Sequence, residues 1–128
     1  MIGIDSRYRK HDEMMRKLVG QTFGVVQRLR ADIEGRGARF YVAYLPAAEN
    51  LRAQGVDPYE TLLMERLSGS GIKVFNFEKY LRARQADPLS IFPFRLGGHY
   101  LSEGYSLVAD QIYDGVGEDL RRHVPTGR

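Results

Sequence analysis

The spacing of apolar and polar side chains divides the chain into three helical segments and two short apolar runs. Apolar residues recur at steps of three and four over 8–34, 58–68 and 102–122, which is the period of a helix with one buried face. The runs 38–45 and 72–77 are instead rich in Phe, Tyr, Val and Ile without clean alternation, which is typical of strands covered on both faces. The pattern therefore predicts the order helix, strand, helix, strand, helix.

Glycine and proline mark where these segments begin and end. Gly35-Arg36-Gly37 closes the first helix, and Pro46 follows the first strand. Asp57-Pro58 predicts the start of the second helix, because a carboxylate there accepts free backbone N–H groups and proline fits the first turn. The segment between Pro46 and Asp57 is predicted to be a polar connection with one short helical turn.

A helix between two buried strands is the usual connection within a parallel sheet. We therefore predict an α/β fold, a three-layer αβα architecture of the flavodoxin-like kind, with residues 1–128 forming a single partial domain. Two strands are strongly predicted, and MIGI at residues 1–4 is a candidate third. Such a short sheet leaves apolar edges open. We expect it to be completed by a missing N-terminal half, or by a homodimer that buries the 8–34 helix face or the edge of strand 38–45.

The composition is that of a soluble globular domain. Of 128 residues, 43% are hydrophobic and 27% charged, and none is cysteine, which excludes disulfides and thiolate chemistry. No apolar run approaches the roughly 20 residues of a membrane span, and the N-terminus lacks the apolar core of a secretory signal. A cytoplasmic location is the default expectation.

The charge is mildly positive, with 19 basic and 16 acidic residues giving a net +3. The basic residues are spread along the chain, with small clusters at Arg7–Lys10 and Arg121–Arg122, whereas nucleic-acid binders carry a basic stripe. No histidines or carboxylates share a metal-ligand spacing, and Gly97-Gly98 lacks the frame of a phosphate loop. We predict no metal and no cofactor.

The strongest chemical signal is the segment RLGGHYLSEGYSLVADQIYDG at residues 95–115. Together with GRGARFYVAYLP and GVDPYETLLMERLSGSGIKVFNFEKYL, it resembles the C-terminal half of an SGNH (GDSL-like) hydrolase. The family's H-x-x-x-x-G-x-x-x-V-A pattern is matched by His99, Gly104, Val108 and Ala109. The resemblance implies an ester substrate and serine chemistry in which His99 is the general base.

The chain also departs from that family. An aspartate normally stands two or three residues before the histidine, where this chain has Gly97 and Leu96. The Gly-Asp-Ser block of the nucleophile, the later glycine and the Gly-x-Asn-Asp block of the oxyanion hole are all missing. In the family these residues orient the base, attack the ester and stabilise the tetrahedral intermediate.

One serine of this chain, Ser6, is a candidate for the nucleophile. Asp5-Ser6 follows a short apolar stretch as in a Gly-Asp-Ser turn, although a helix N-cap is the ordinary role of such a serine. Ser70 lies in a turn before a strand, whereas sites on parallel sheets lie at the carboxyl ends, so it is not expected to react. Ser102 is expected to cap the last helix. Three functions stay open: a hydrolase module whose serine comes from missing sequence or a partner, a non-catalytic dimer-forming remnant acting in binding or assembly, and a small nucleotide- or nucleic-acid-binding module.

Overall fold

A computed structural model describes residues 2–53 and 55–123, with side chains from residue 6 onward. The chain folds into two units, each built from two separate segments. Unit 1 comprises the described parts of Met1–Tyr41 and Gly55–Val74, and unit 2 those of Val42–Gln54 and Phe75–Arg128.

The described residues form five α-helices and two β-strands. In chain order these are α1 (Ile2–Gly35), β1 (Tyr41–Tyr44), α2 (Ala48–Arg52), α3 (Pro58–Gly69), β2 (Lys73–Asn76), α4 (Phe77–Arg84) and α5 (Ser102–His123). Two short 3-10 helices, Pro88–Ile91 and Pro93–Arg95, lie between α4 and α5. The two strands pair as a parallel sheet, so the fold is mixed α/β and mostly helical.

The N-terminal residues differ from the expectation of a third strand. Residues 2–4 belong to α1, which starts well before the predicted residue 8; Met1 lies outside the described residues. The helix continues without a break because no proline or turn signal separates this stretch from the charged residues that follow, and an isolated strand has nothing to pair with.

Helix α4 was not anticipated from the sequence. It follows β2 without a loop, since Asn76 both ends the strand and caps the helix, its side chain accepting a hydrogen bond from Lys79 N at 3.0 Å. Phe77, expected to lie in the strand, is therefore the first residue of α4.

Unit 1 is built from α1 packed along α3. Val19 and Leu67 are buried between these helices, the Tyr59 hydroxyl donates to Asp12 Oδ1 at 3.0 Å, and the Arg66 guanidinium lies 4.9 Å from the centre of the Phe23 ring. Helix α3 begins as Asp57-Pro58 predicts, with the Asp57 carboxylate accepting from two backbone N–H groups at 2.8 and 3.3 Å.

Unit 2 holds an aromatic core. Its buried side chains come from α2, α4, the first 3-10 helix and the segment before α5. They are Ala48, Leu51, Phe77, Leu81, Ile91, Phe92 and Tyr100. Half-buried side chains of α5, Leu107 and Val108, pack against this cluster, so the start of α5 is fixed by the same core.

Candidate functional site

His99 lies in the loop 96–101 of unit 2, and this loop is tied to the chain that leaves the carboxyl end of β1. Ala48 N donates to the Gly97 carbonyl at 2.9 Å, and the Tyr100 hydroxyl donates to the Pro46 carbonyl at 2.7 Å. Sites on parallel sheets form outside the carboxyl ends of the strands. The loop is thus attached to the chain just after the carboxyl end of β1, which is the end of a strand at which such sites occur.

Tyr100, the residue after His99, anchors the loop in the core. It is only 6% exposed, and its ring packs edge-on against Phe92 with the ring centres 5.0 Å apart. Burial, with a smaller contribution from Tyr105, raises the pKa of the Tyr100 hydroxyl to about 12. The hydroxyl therefore stays protonated and keeps donating to Pro46 throughout the neutral range.

Backbone contacts fix the remainder of the loop. Gly97 has φ of +76°, a left-handed conformation that glycine adopts without strain. Leu101 N donates to the Ile91 carbonyl at 2.7 Å, and the Arg52 guanidinium donates to the Arg95 carbonyl. The position of the loop is thus set on both sides of His99.

The His99 side chain itself is exposed. Within the part of the chain that the structure describes, no group forms a hydrogen bond or an ion pair with its imidazole. Leu96 and Gly97 stand where the SGNH pattern has its aspartate, and both are exposed. Both ring nitrogens are therefore free to meet a substrate or a group from another chain.

A carboxylate that the sequence pattern did not indicate contacts this loop. Glu49 Oε1, on α2, accepts a hydrogen bond from Gly97 N at 3.4 Å, two residues before His99. The sequence signal was weak: an acidic residue soon after the proline that ends the first strand. Glu49 is thus in contact with the loop that carries His99.

The segment just before the loop is strained and ion-paired. Phe94 and Arg95 have φ of +52° and +60°, which is unusual for residues other than glycine, and Phe94 is 93% exposed. Arg95 makes two hydrogen bonds to the Asp87 carboxylate, at 2.6 and 3.0 Å, and this pairing lowers the pKa of Asp87. An exposed apolar ring is therefore held five residues before His99.

The other residues of the SGNH-like pattern have packing roles. A side chain at Gly104 would place its Cβ 2.8 Å from Tyr100 Cβ and 3.1 Å from Ile91 Cβ, so α5 approaches the loop this closely only with glycine. Val108 packs against the core, whereas Ala109 is exposed. Gly104 and Val108 thus hold α5 behind the histidine loop.

Ser6, Ser70 and Ser102 all lie outside the loop 96–101 itself. Ser6 is inside α1 of unit 1, neither at a helix N-cap nor on a turn after a strand, so the structure does not place it in one unit with His99. Ser70 is in the turn after α3, where its hydroxyl donates to the Leu67 carbonyl at 2.8 Å. Ser102 is the first residue of α5 rather than the residue before it, and its carbonyl accepts from Ser106 Oγ at 3.0 Å.

The described residues hold neither a metal-binding cluster nor a membrane-spanning helix. Across residues 2–53 and 55–123, no group of three or more histidines and carboxylates is placed to bind a metal ion. No helix among these residues is long and apolar enough to cross a membrane. Comparison with protein-family models, with curated proteins and with solved structures finds no match to this chain. The resemblance to SGNH hydrolases stays a prediction carried by residues 95–115 and the segments before them.

Proposed function

We propose that this chain is an SGNH-hydrolase-like module that takes part in ester hydrolysis or acyl transfer, with His99 as the general base. The observation that carries the proposal is the attachment of the His99 loop to the chain leaving the carboxyl end of β1, through Gly97 and Tyr100. The three-layer architecture of that family belongs to the same proposal, with the two-stranded sheet as its part in this chain.

The proposed chemistry uses His99 in two successive proton transfers. As a serine Oγ attacks the ester carbonyl, the imidazole takes the hydroxyl proton, and it then returns that proton to the oxygen of the departing alcohol. A positioning residue that accepts from the other ring nitrogen would hold the ring and stabilise the imidazolium. Glu49, already in contact with the loop at Gly97, is proposed for that task.

The serine is proposed to come from further sequence or from a partner chain. The described serines nearest to His99 along the chain, Ser102 and Ser106, lie on α5, and the Ser106 hydroxyl is engaged with the Ser102 carbonyl. The carboxyl side of β1 and the exposed ring of Phe94 would then face the incoming ester.

The test is fluorophosphonate labelling of the protein tagged at its C-terminus and purified from its source cells with whatever sequence or partner accompanies it. We expect one labelled serine, identified by peptide mapping. The label should disappear in His99→Ala and persist in His123→Ala, a matched exposed histidine at the end of α5. Glu49→Gln should slow labelling, because the imidazole loses the carboxylate proposed to position its ring.

Two results would overturn the proposal. The first is an absence of labelled serine in the purified material, and the second is a label that His99→Ala leaves unchanged. Either would remove His99 from any serine-activating role. Labelling of Glu49→Gln at the wild-type rate, with the other results as expected, would remove only the positioning role of Glu49.

A second candidate function is assembly without catalysis. The observation that favours it is the exposure of large apolar side chains along both long helices, including Leu18 and Leu29 on α1 and Tyr113 and Leu120 on α5. Surfaces of this kind commonly bind another protein. Mutation of His99 would then leave the function of the chain intact.

A further inference from the structure

Helix α1 carries an apolar stripe that its own unit leaves uncovered. The stripe consists of Met14, Leu18, Thr22, Val25 and Leu29. The four apolar members are between 47% and 53% exposed. Steps of 4, 4, 3 and 4 residues keep them on one face of the helix. The neighbouring face, with Val19 and Phe23, packs toward α3.

Helix α5 carries a second stripe with the same spacing. It consists of Tyr105, Ala109, Tyr113, Val116 and Leu120. Tyr105, Tyr113 and Leu120 are 49%, 80% and 52% exposed, and members of the stripe line an open groove along the helix. The opposite side of α5 packs inward through Gly104 and Gly115, where an added Cβ would collide with Ile91, Tyr100 or Phe75.

The two stripes match in length and in register. Each runs over 15 residue steps, or about 22 Å of helix. Because both have steps of 4, 4, 3 and 4 read in the same direction, parallel packing sets all five positions side by side, from Met14 beside Tyr105 to Leu29 beside Leu120. Seams built from steps of three and four residues are those by which two helices pack with interlocking side chains.

The flanks of the two stripes carry opposite charge. Lys10, Lys17 and Arg28 lie on the α1 flank that is turned away from α3, all exposed and without an ion pair among the described residues. Asp110, Asp114 and Glu103 lie on one flank of the α5 stripe, also exposed. At 100° per residue, parallel packing brings these two flanks to the same side of the helix pair.

The register then predicts specific charge pairs. Lys10 lies opposite Glu103, and Lys17 lies opposite Asp110, each pair offset by about 3 Å along the helix axis. At the other end Arg28 meets Arg121, a like-charge pair that weakens the contact. Pairing α1 with a second α1 in antiparallel fashion would instead set Lys17 against Arg28, so charge favours α5 as the partner of α1.

We propose that the α1 stripe of one copy of this chain packs in parallel against the α5 stripe of a second copy. The contact joins two different surfaces, so it closes into a ring or continues into a longer assembly. It stands apart from the chemistry at His99, and His99→Ala is expected to assemble as the wild-type chain does.

The test is a charge-swap experiment on the full chain, read by sedimentation and light scattering at micromolar concentration. We expect the wild-type chain to be dimeric or larger and to dissociate partly at high salt. Variant one, Lys10→Glu with Lys17→Glu, and variant two, Glu103→Lys with Asp110→Lys, should each be monomeric. Mixed in equal amounts they should associate again, because the acidic α1 flank of one meets the basic α5 flank of the other.

A gain-of-function variant separates this contact from a general effect of charge. Arg121→Glu should tighten assembly at least several-fold, since it replaces the opposed arginines by a favourable pair with Arg28. Circular dichroism of each variant checks that the helices are retained.

Four results would overturn the proposal. They are a monomeric wild-type chain, self-association of variant one, self-association of variant two, and failure of the mixture to associate. Association of variant two alone would indicate contact between two α1 helices, and association of variant one alone would indicate contact between two α5 helices.

Discussion

Units 1 and 2 are of similar size but hold their chains together by different means. Among the described residues of unit 1, the buried hydrophobic core residues are Val19, Leu67 and Ile72. Unit 2 has eight, of which seven form one cluster that includes Phe77. The long helix of unit 1 adds exposed ion pairs four residues apart, such as Asp12 with Arg16, which are weak because solvent screens the two charges.

The difference separates two tasks. A buried aromatic core can fix the position of a loop, as Tyr100 does for His99, because moving the loop would expose the ring. A long helix with few buried residues cannot hold a site in this way, but it offers a broad surface to other molecules. We therefore assign the proposed chemistry to unit 2 and one half of the proposed contact surface to unit 1.

The largest expected effect tests the core. Phe77→Ala should lower the free energy of unfolding by about 3–5 kcal/mol, because the ring is fully buried. Val19→Ala, in unit 1, should cost about 1–2 kcal/mol, since fewer atoms are lost. Urea denaturation measures both. Phe94→Ala is the control, at 93% exposure, and an effect on stability as large as that of Phe77→Ala would contradict this account of the core.

The next effect concerns alkaline pH. The folded pKa of Tyr100, about 12, is raised above the ordinary 10.0, so its contribution to stability is complete below about pH 10 and is lost as the pH rises through 12. The loss is on the order of 2 kcal/mol. Tyr100→Phe should remove most of this alkaline destabilisation, and Tyr59→Phe in unit 1 should remove less. Equal pH curves for wild type and Tyr100→Phe would refute the assignment.

Two helical glycines should give effects of opposite sign. Gly104→Ala forces a Cβ to within 2.8 Å of Tyr100 Cβ and should destabilise the protein by about 1–2 kcal/mol. Gly24→Ala, in α1, meets no described atom within 4 Å and should stabilise it by up to about 1 kcal/mol through helix propensity. Thermal unfolding measures both, and destabilisation by Gly24→Ala would show that the α1 surface is less open than described.

The smallest effect is at acid pH. Hydrogen bonds from Arg16 and Tyr59 lower the pKa of Asp12 in unit 1, and a hydrogen bond from Arg95 lowers that of Asp87 in unit 2. A lowered pKa stabilises the fold above about pH 4, and the contribution is lost as the pH falls through the folded value. In Asp12→Asn and in Asp87→Asn, the melting temperature should fall less steeply than in the wild type as the pH is lowered from neutral into the acid range. If a variant loses as much melting temperature in acid as the wild type does, the hydrogen-bonded pair it removes does not contribute to the pH dependence of stability.

Local chemistry made some elements readable from the sequence. Asp57 with Pro58 marked the start of α3 because the cap and the proline act within one turn, and the three-four spacing of α5 placed its beginning at Ser102. Helix α4 was missed for an equally local reason: Asn76 ends a strand and caps a helix at the same position, with no glycine or proline between them.

The surroundings of His99 depend on residues far apart in the chain and could not be read in the same way. Glu49 reaches the loop only because β1 and α2 bring it to Gly97, 48 residues away in sequence. Phe94 has a left-handed backbone conformation that phenylalanine rarely adopts, so nothing in the sequence indicated it. What the sequence did show was the spacing from His99 to Gly104, which the structure explains by close packing of α5.

The division of the chain into two interleaved units determines the order in which the units can be completed during synthesis. Each unit uses two separate segments, and the chain passes from one unit to the other after residues 41, 54 and 74. All residues of unit 1 have therefore been synthesised once the chain reaches residue 74. At that point the first segment of unit 2, residues 42–54, still lacks its core partners Phe77 and Tyr100. No single cut separates the residues of one unit from those of the other, and a nascent chain arrested between residues 75 and 100 would hold every residue of unit 1 but an incomplete core of unit 2.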